Sequence, residues 1–562
     1  MMTELPPGMV MMLAGAVVPF LPHGIRQCWM LLALGLSAYG LMAGAGVHWQ
    51  VSLAGFDLVL HRADSLTLPF AIAFHIAAGL NIFYGFHEKR WLEHTAGFIY
   101  AGAAIAALHA GDLITLFLWW EATAVTSVFL ILARRTEVAY RASMRYLIFQ
   151  VLSGVLLLAG AAMLYQQSGS FIFSKMQLNS PGAVLVFLAF GIKAAFPLLN
   201  GWLQDAYPEA TVLGTVILSA FTTKLAIYAL ARGFAGTEVL IWIGVLMASS
   251  VVFAVLENDL RRVLAYSLNN QLGFMVVGIG IGSEMAVNGA VAHAFVSILY
   301  KSLLFMCMGA VLFRVETVKA TALGGLYRMM PLTAVFCIIG AMSISAFPLF
   351  SGFVAKSLIM SGLGKAGLAS VYLLLMFASV GVLVHSGLKI PYAAFFCRDA
   401  GHQVKEAPFN MLLAMGMTAL LCLGIGIYPD PLYALLPYPV AYEPYTLSHI
   451  TGQLQLVLVA VLGFVFFVRF GHYPAESKSV VLNSDWFYRR LAARIGLPLL
   501  AVVQQTWLGF TGVLQTGVAG ILALLGRMIA SPLAGPVIPG PAALVLLVVL
   551  ALMMAGLLRV SL

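Results

Sequence analysis

Apolar residues run along this chain in blocks of about twenty, divided by short polar breaks that hold most of its charges, prolines and glycine clusters. A helix crossing a bilayer needs about 20 consecutive apolar residues, so each block reads as a candidate span. Cutting at the breaks predicts about sixteen, near 8–22, 27–46, 65–86, 95–110, 112–133, 142–165, 182–205, 212–233, 237–256, 262–281, 287–313, 332–363, 367–397, 409–428, 451–470 and 541–560. The stretch 485–535 is different. It opens DWFYRRLAARIG, is amphipathic in parts, and reads as a helix lying along the membrane surface or along neighbouring helices.

Charge in the connections orients the spans. Up to the thirteenth span, loops after odd-numbered spans hold fourteen Lys and Arg, among them Arg134, Arg135, Arg141 and Arg145; loops after even-numbered spans, up to the twelfth, hold four, Arg62, Lys175, Arg232 and Lys365. Basic loops stay cytoplasmic, which puts the N-terminus outside a plasma (inner) membrane. MMTELPPGMV carries an acid and no basic stretch, so it does not read as a cleaved signal peptide.

Composition agrees with the pattern. Of 562 residues, 62% are hydrophobic and 9% charged, with a mean hydropathy of +0.99. Soluble domains carry about 25% charged residues, so a water-facing surface and a soluble catalytic domain are both excluded. The net charge of +9 reflects basic loops rather than a nucleic-acid partner. Cys28, Cys307, Cys337, Cys397 and Cys422 lack metal-ligand or disulfide spacing, so neither metal nor cofactor is expected.

An ionisable side chain at membrane depth costs about 2.5–3.5 kcal/mol or more and is a functional candidate by default. The candidates are Glu121 in LFLWWEATAV, Lys193 in FGIKAAFPLL, Lys224 in FTTKLAIYAL, His293 in AVAHAFVSIL, Lys301 in ILYKSLLFM and Lys356 in GFVAKSLIM. Glu121 reads as the sole acid deep in a span. His75, His109 and His385 read as packing residues, and Asp112, Asp205 and Asp259 as loop or helix-end residues.

A short repeat accompanies two of these lysines. Phe196-Pro197-Leu198-Leu199-Asn200-Gly201 in the seventh span matches Phe347-Pro348-Leu349-Phe350-Ser351-Gly352 in the twelfth. The copies lie five spans apart, an odd number, so they run oppositely through the bilayer. That predicts inverted repeats with broken helices, a device that brackets a site at the membrane midplane. The expected organisation is N-terminal spans (1–94), a first repeat (95–233), a second repeat (237–397), C-terminal spans (398–470), and a lateral helix with a final span (471–562).

At these residues the chain resembles the antiporter-like membrane subunits shared by respiratory complex I and the Mrp-type monovalent cation/proton antiporters. The motifs run in order from Glu121 through GIKAAFPLLNGWLQDAYPEA, TTKLAIYAL, LRRVLAYSLNNQLGF, HAFVSILYKSLLF and GGLYRMMP to SAFPLFSGFVAKS. TTKLAIYAL and the Y-P-E-A after WLQD are most similar to the D subunit of Mrp antiporters. The resemblance implies an all-α polytopic fold of about 14 to 16 transmembrane helices, with two inverted five-helix repeats, broken seventh and twelfth helices and a C-terminal lateral helix. It implies a proton relay through Glu121, Lys193, Lys224, His293, Lys301 and Lys356 that exchanges protons for Na+. Implied partners are other integral membrane subunits, including a sister antiporter-like subunit. Departures from the family pattern stand at Asn200, Gln204, Arg261 and Ser297; an arginine at 261 cannot release a proton. A pumping subunit of a redox-driven complex, and a coupling subunit for uptake of an inorganic substrate, are the competing expectations.

Overall fold

The computed structural model describes residues 5–53, 55–470, 494, 498, 501–502 and 504–509, and the chain divides into two units, 1–485 and 486–562. In the second unit the described residues between 494 and 509 are helical. Most of the expected lateral helix, and all of the expected final span at 541–560, lie outside the described residues.

Among its described residues the first unit is helical apart from one hairpin and its connections. It opens with α1 (Pro7–Val17) and α2 (His23–Tyr39), followed by β1 (Gly46–Leu53) and β2 (Phe56–Ala63), an antiparallel pair where the hydropathy pattern had given only a connection. Helices α3 (Thr67–Tyr84), α4 (Trp91–Leu108), α5 (Leu113–Leu132) and α6 (Glu137–Ser168) follow. Next come α7 (Pro181–Lys193), α8 (Gly201–Ala206), α9 (Val212–Ala220) and α10 (Thr222–Phe234). After them stand α11 (Val239–Ala248), α12 (Val251–Leu256), α13 (Leu260–Ile281) and α14 (Glu284–Val315). The unit closes with α15 (Pro331–Ile344), α16 (Ser351–Lys365), α17 (Ala369–Val382), α18 (Phe409–Ile427), α19 (Asp430–Ala434) and α20 (Leu447–Arg469). Among the described residues ten helical stretches are long and apolar enough to cross a membrane, and three shorter apolar helices accompany them. This is a multi-pass membrane protein.

Starts and stops follow local chemistry. Asp112, Thr136, Ser180, Thr211, Asp259 and Ser283 each accept a hydrogen bond from a backbone N–H of the first turn behind them, satisfying donors the helix cannot. Asp112 also takes the Val59 N–H at 2.7 Å and so ties the hairpin to α5.

Close packing rests on glycine pairs. A methyl at Gly244 of α11 would stand 2.6 Å from the Gly273 carbonyl oxygen of α13, and one at Gly273 would stand 2.5 Å from that of Gly244. Gly160 of α6 and Gly182 of α7 face each other the same way, as do Gly8 of α1 and Gly102 of α4. With lipid on the outside there is no hydrophobic drive between helices, so van der Waals contact of bare backbones supplies much of the association. The 32-residue α14 lies at the centre, against α3, α9, α13, α15, α16 and α18, and is almost wholly buried. By contrast α6 and α20 keep most of their apolar surface outward, as lipid contact requires.

Two interruptions share one backbone conformation. After α7, Ala195 and Leu198 have φ of 60° and 68°; after α15, Ala346 and Leu349 have φ of 55° and 74°. The Phe196 N–H reaches back to Gly191 O at 2.9 Å, and the Phe347 N–H to Met342 O at 3.1 Å. This is a Schellman cap with alanine where glycine is usual. Proline then forbids continuation, and a turn closes from Leu199 N–H to Phe196 O, and from Phe350 N–H to Phe347 O. Two further breaks had no counterpart in the hydropathy pattern: Phe221 separates α9 from α10, and Ser249–Ser250 separate α11 from α12.

Candidate functional site

Lys193 ends α7 and is fully buried. Its Nζ donates to Trp120 O at 2.6 Å and to Thr123 Oγ1 at 2.9 Å, and stands 4.3 Å from the centre of the Trp120 ring. The indole is itself fixed, donating to Ser153 Oγ, which donates to Ala189 O. Glu121 follows Trp120 and is half-buried against α6. Its carboxylate fits there because position 154 is glycine: a methyl would overlap Glu121 Oε1.

Lys224 lies in the middle of the stretch Val212–Phe234, fully buried, so it does not snorkel to a headgroup. Its Nζ donates to Ser219 O at 2.8 Å, a carbonyl released by the break at Phe221. The break is braced by Tyr100, whose hydroxyl accepts the Thr222 N–H.

His293 and Lys301 project from α14 toward α13. Gln271 Oε1 lies 3.1 Å from His293 Nε2 and accepts the Tyr300 hydroxyl at 3.2 Å, while Lys301 Nζ donates to Leu264 O at 3.2 Å. Among the described residues His293 Nδ1 has no hydrogen-bond partner. Helix α14, which carries this pair, packs against both α10 with Lys224 and α16 with Lys356.

Lys356 stands in α16, beyond the second interruption, whereas Lys193 precedes the first. The shared motif therefore carries its lysine on opposite sides of the break. Lys356 Nζ donates to Ile344 O at 3.3 Å across the gap and to Ser379 Oγ at 3.4 Å, over the Phe274 ring at 4.9 Å. It lines a cavity of about 290 Å³ together with Ser379, His449, Gly452 and Gln453.

The six residues are thus distributed over α5, α7, α10, α14 and α16, and five of them are essentially sealed from solvent. Among the described residues none of the four lysines makes a salt bridge; each is held by carbonyl or hydroxyl oxygens. A buried amine held this way exchanges a proton without first breaking an ion pair.

Several residues play parts that the sequence pattern did not give them. Glu93, at a helix end in the first turn of α4, is also buried: it is 1% exposed, paired with Arg90 at 2.5 Å and hydrogen-bonded by Thr211. Gln271 and Tyr300 join His293 in one hydrogen-bonded group. The cluster Ser267, Asn269, Asn270 and Gln271, all buried in one apolar helix, was the available signal. Arg261 is a clamp: its Nη2 donates to Ala210 O at 2.8 Å and to Thr211 O at 3.2 Å, fixing the turn before α9. Asp112 and Asp259 are helix caps, in keeping with their reading as loop or helix-end residues, and Asp205 pairs with Arg145 at 2.6 Å.

Residues 110–384 match the model of the family described as NADH:quinone oxidoreductase/Mrp antiporter, transmembrane. The chain is similar to the D subunit of the Na(+)/H(+) antiporter of Alkalihalophilus pseudofirmus, 29% identical over 420 residues covering 69% of this chain and 83% of that protein. It is also similar to hydrogenase-4 component B of Escherichia coli, 26% identical over 420 residues, 66% of this chain and 62% of that one. A chain of the Mrp complex from Dietzia shares the fold, with a TM-score of 0.75 at 24% identity over 97% of this chain and 65% of its own length.

Proposed function

Since residues 110–384 carry the transmembrane domain of the NADH:quinone oxidoreductase/Mrp antiporter family, we propose that this chain is the proton-translocating subunit of a multisubunit Na+/proton antiporter in the cell membrane. The observation that carries the reading is the series of buried lysines hydrogen-bonded to neutral oxygens, with Glu121 at one end and the cavity at Lys356 at the other.

A proton held on Lys193 is favoured when Glu121 is ionised and near, and released when the two separate, because burial alone disfavours the ammonium. Lys224, then His293 with Lys301, then Lys356 hand the proton on, with water completing the gaps. The repeated Schellman cap and proline turn at Ala195–Leu199 and Ala346–Phe350 support two inverted repeats, 95–233 and 237–397. At the second interruption the freed Ile344 carbonyl takes the Lys356 amine, and at the first the freed Ile192 carbonyl takes the Trp202 indole N–H. Other integral membrane subunits, a sister antiporter-like subunit among them, complete the assembly.

The decisive experiment is Na+-driven proton exchange in vesicles holding the intact complex. Lys193→Ala or Glu121→Ala abolishes it while the complex stays assembled; unchanged exchange sinks the relay. The similarity to hydrogenase-4 component B favours a second reading, a pumping subunit of a redox-driven complex. Subunits co-purifying with the tagged chain separate the two: cluster-bearing partners select the second.

A further inference from the structure

Beyond α17 the chain winds as a π-helix over Leu383–Lys389, and its buried face presents His385, Ser386 and Lys389. π-helical turns are rare and concentrate at functional sites. His385 is completely buried.

The hydrogen bonds fix its tautomer. Ser386 Oγ donates to Ser267 Oγ at 2.8 Å, so its hydrogen is committed, and the contact of 2.7 Å to His385 Nδ1 is one in which the ring N–H donates. That leaves Nε2 as the basic nitrogen, buried and without a protein partner. Ser267 stands one turn along α13 from Leu264, whose carbonyl holds Lys301. One turn along the π-helix in the other direction, Lys389 Nζ donates to Val255 O at 2.7 Å and Glu257 O at 2.6 Å, where α12 ends. Glu257 Oε2 has no protein partner, and beyond it Asp259 and Arg262 are partly exposed and Lys319 is exposed.

We infer that His385 and Lys389 form a side branch of the proton row, linking Lys301 to the loop face at Glu257. His385 Nε2 takes a proton from the Lys301 ammonium, leaving a neutral amine and an imidazolium; it then gives that proton to a neutral Lys389 amine. Charge is conserved at each transfer, and the Nδ1–H bond to Ser386 stays in place throughout. Lys389 is the outer station, where the Glu257 carboxylate offers the next acceptor. The inference rests on the relay reading above and adds a second opening to it, apart from the Lys356 cavity, which is lined by α20.

The competing role for Lys389 is to cap the carbonyls of α12, and for His385 to pack. Conservative variants separate the roles. Lys389→Arg keeps the charge and the donors but cannot release a proton, and His385→Asn keeps a donor for Ser386 but loses the basic nitrogen. In vesicles holding the intact complex, each is expected to lower Na+-driven proton exchange by about a hundredfold, with assembly and melting temperature unchanged. Wild-type exchange in both, alongside a dead Lys193→Ala, overturns the branch and leaves the row standing. Active Lys193→Ala overturns the row and the branch with it. Should Lys389→Arg not assemble, His385→Asn decides alone.

Discussion

Lys193 reaches around Glu121 without touching it: its ammonium holds the carbonyl of the residue before and the hydroxyl of the residue two after, while Glu121 Oε1 has no hydrogen-bond partner. The pair is therefore an interaction waiting on a small displacement. A salt bridge already formed would fix the proton on lysine; a remote carboxylate would have no say in it.

Glu121→Gln keeps the shape of the side chain and removes its charge, so exchange is expected to fall at least about tenfold, with assembly intact. Gly154→Ala tests the same relationship from the other side. Its methyl displaces the carboxylate, and slowed exchange with normal yield of complex is the expected outcome in the vesicle assay.

The cavity at Lys356 has room at position 452, where an added Cβ meets nothing within 4 Å. Gly452→Leu fills that space with apolar volume and bars water from the lysine. Exchange is expected to drop while the melting temperature of the purified complex holds; unaffected exchange would show that protons leave elsewhere.

Helix contact through Gly244 and Gly273 leaves no space for a side chain. Gly273→Val forces α11 from α13 and is expected to destabilise by about 1–3 kcal/mol, read as a lowered melting temperature in detergent. Gly424→Val, at an exposed position where an added Cβ meets nothing within 4 Å, is the control and should cost little.

Arg232 Nη2 meets both carboxylate oxygens of Asp64 at 2.8 Å, in the connection from β2 to α3. Burial draws the Asp64 carboxyl upward, but the Arg232 charge with its hydrogen bonds outweighs burial, and the group titrates below its ordinary value. A lowered carboxyl contributes stability above its unfolded pKa, about 3.9, and loses it as pH falls through the lower folded value. Asp64→Asn is therefore expected to melt earlier than the parent at pH 7, by about 1–3 kcal/mol, with the difference closing in acid. Exchange should be unaffected.

Leu198 and Leu349 hold a left-handed conformation that costs a branched residue about 1–2 kcal/mol. Leu198→Gly relieves that cost and adds backbone entropy to the unfolded chain, so its melting temperature should stay near the parent's, whereas Leu198→Ile should lower it.

From the residues alone came the environment and the odd groups in it. Long apolar blocks leave a chain nowhere but a bilayer, and an ionisable group inside such a block is visible because the solvent makes it costly; Lys193, Lys224, His293, Lys301 and Lys356 were all legible this way, and all are buried. Proline at 197 and 348 marked where helices stop. The tertiary structure decided what one-dimensional pattern cannot carry. Whether Lys193 binds Glu121 or the carbonyl beside it depends on how α7 meets α5, and that depends on glycines whose partners lie on other helices. Gln271, Tyr300 and His385 gained their places only when α13, α14 and the π-helical turn after α17 came together. Uncharged polar groups carry a small insertion penalty, and one histidine in an apolar run has many harmless explanations. Their chemistry comes from neighbours, and neighbours are set by packing.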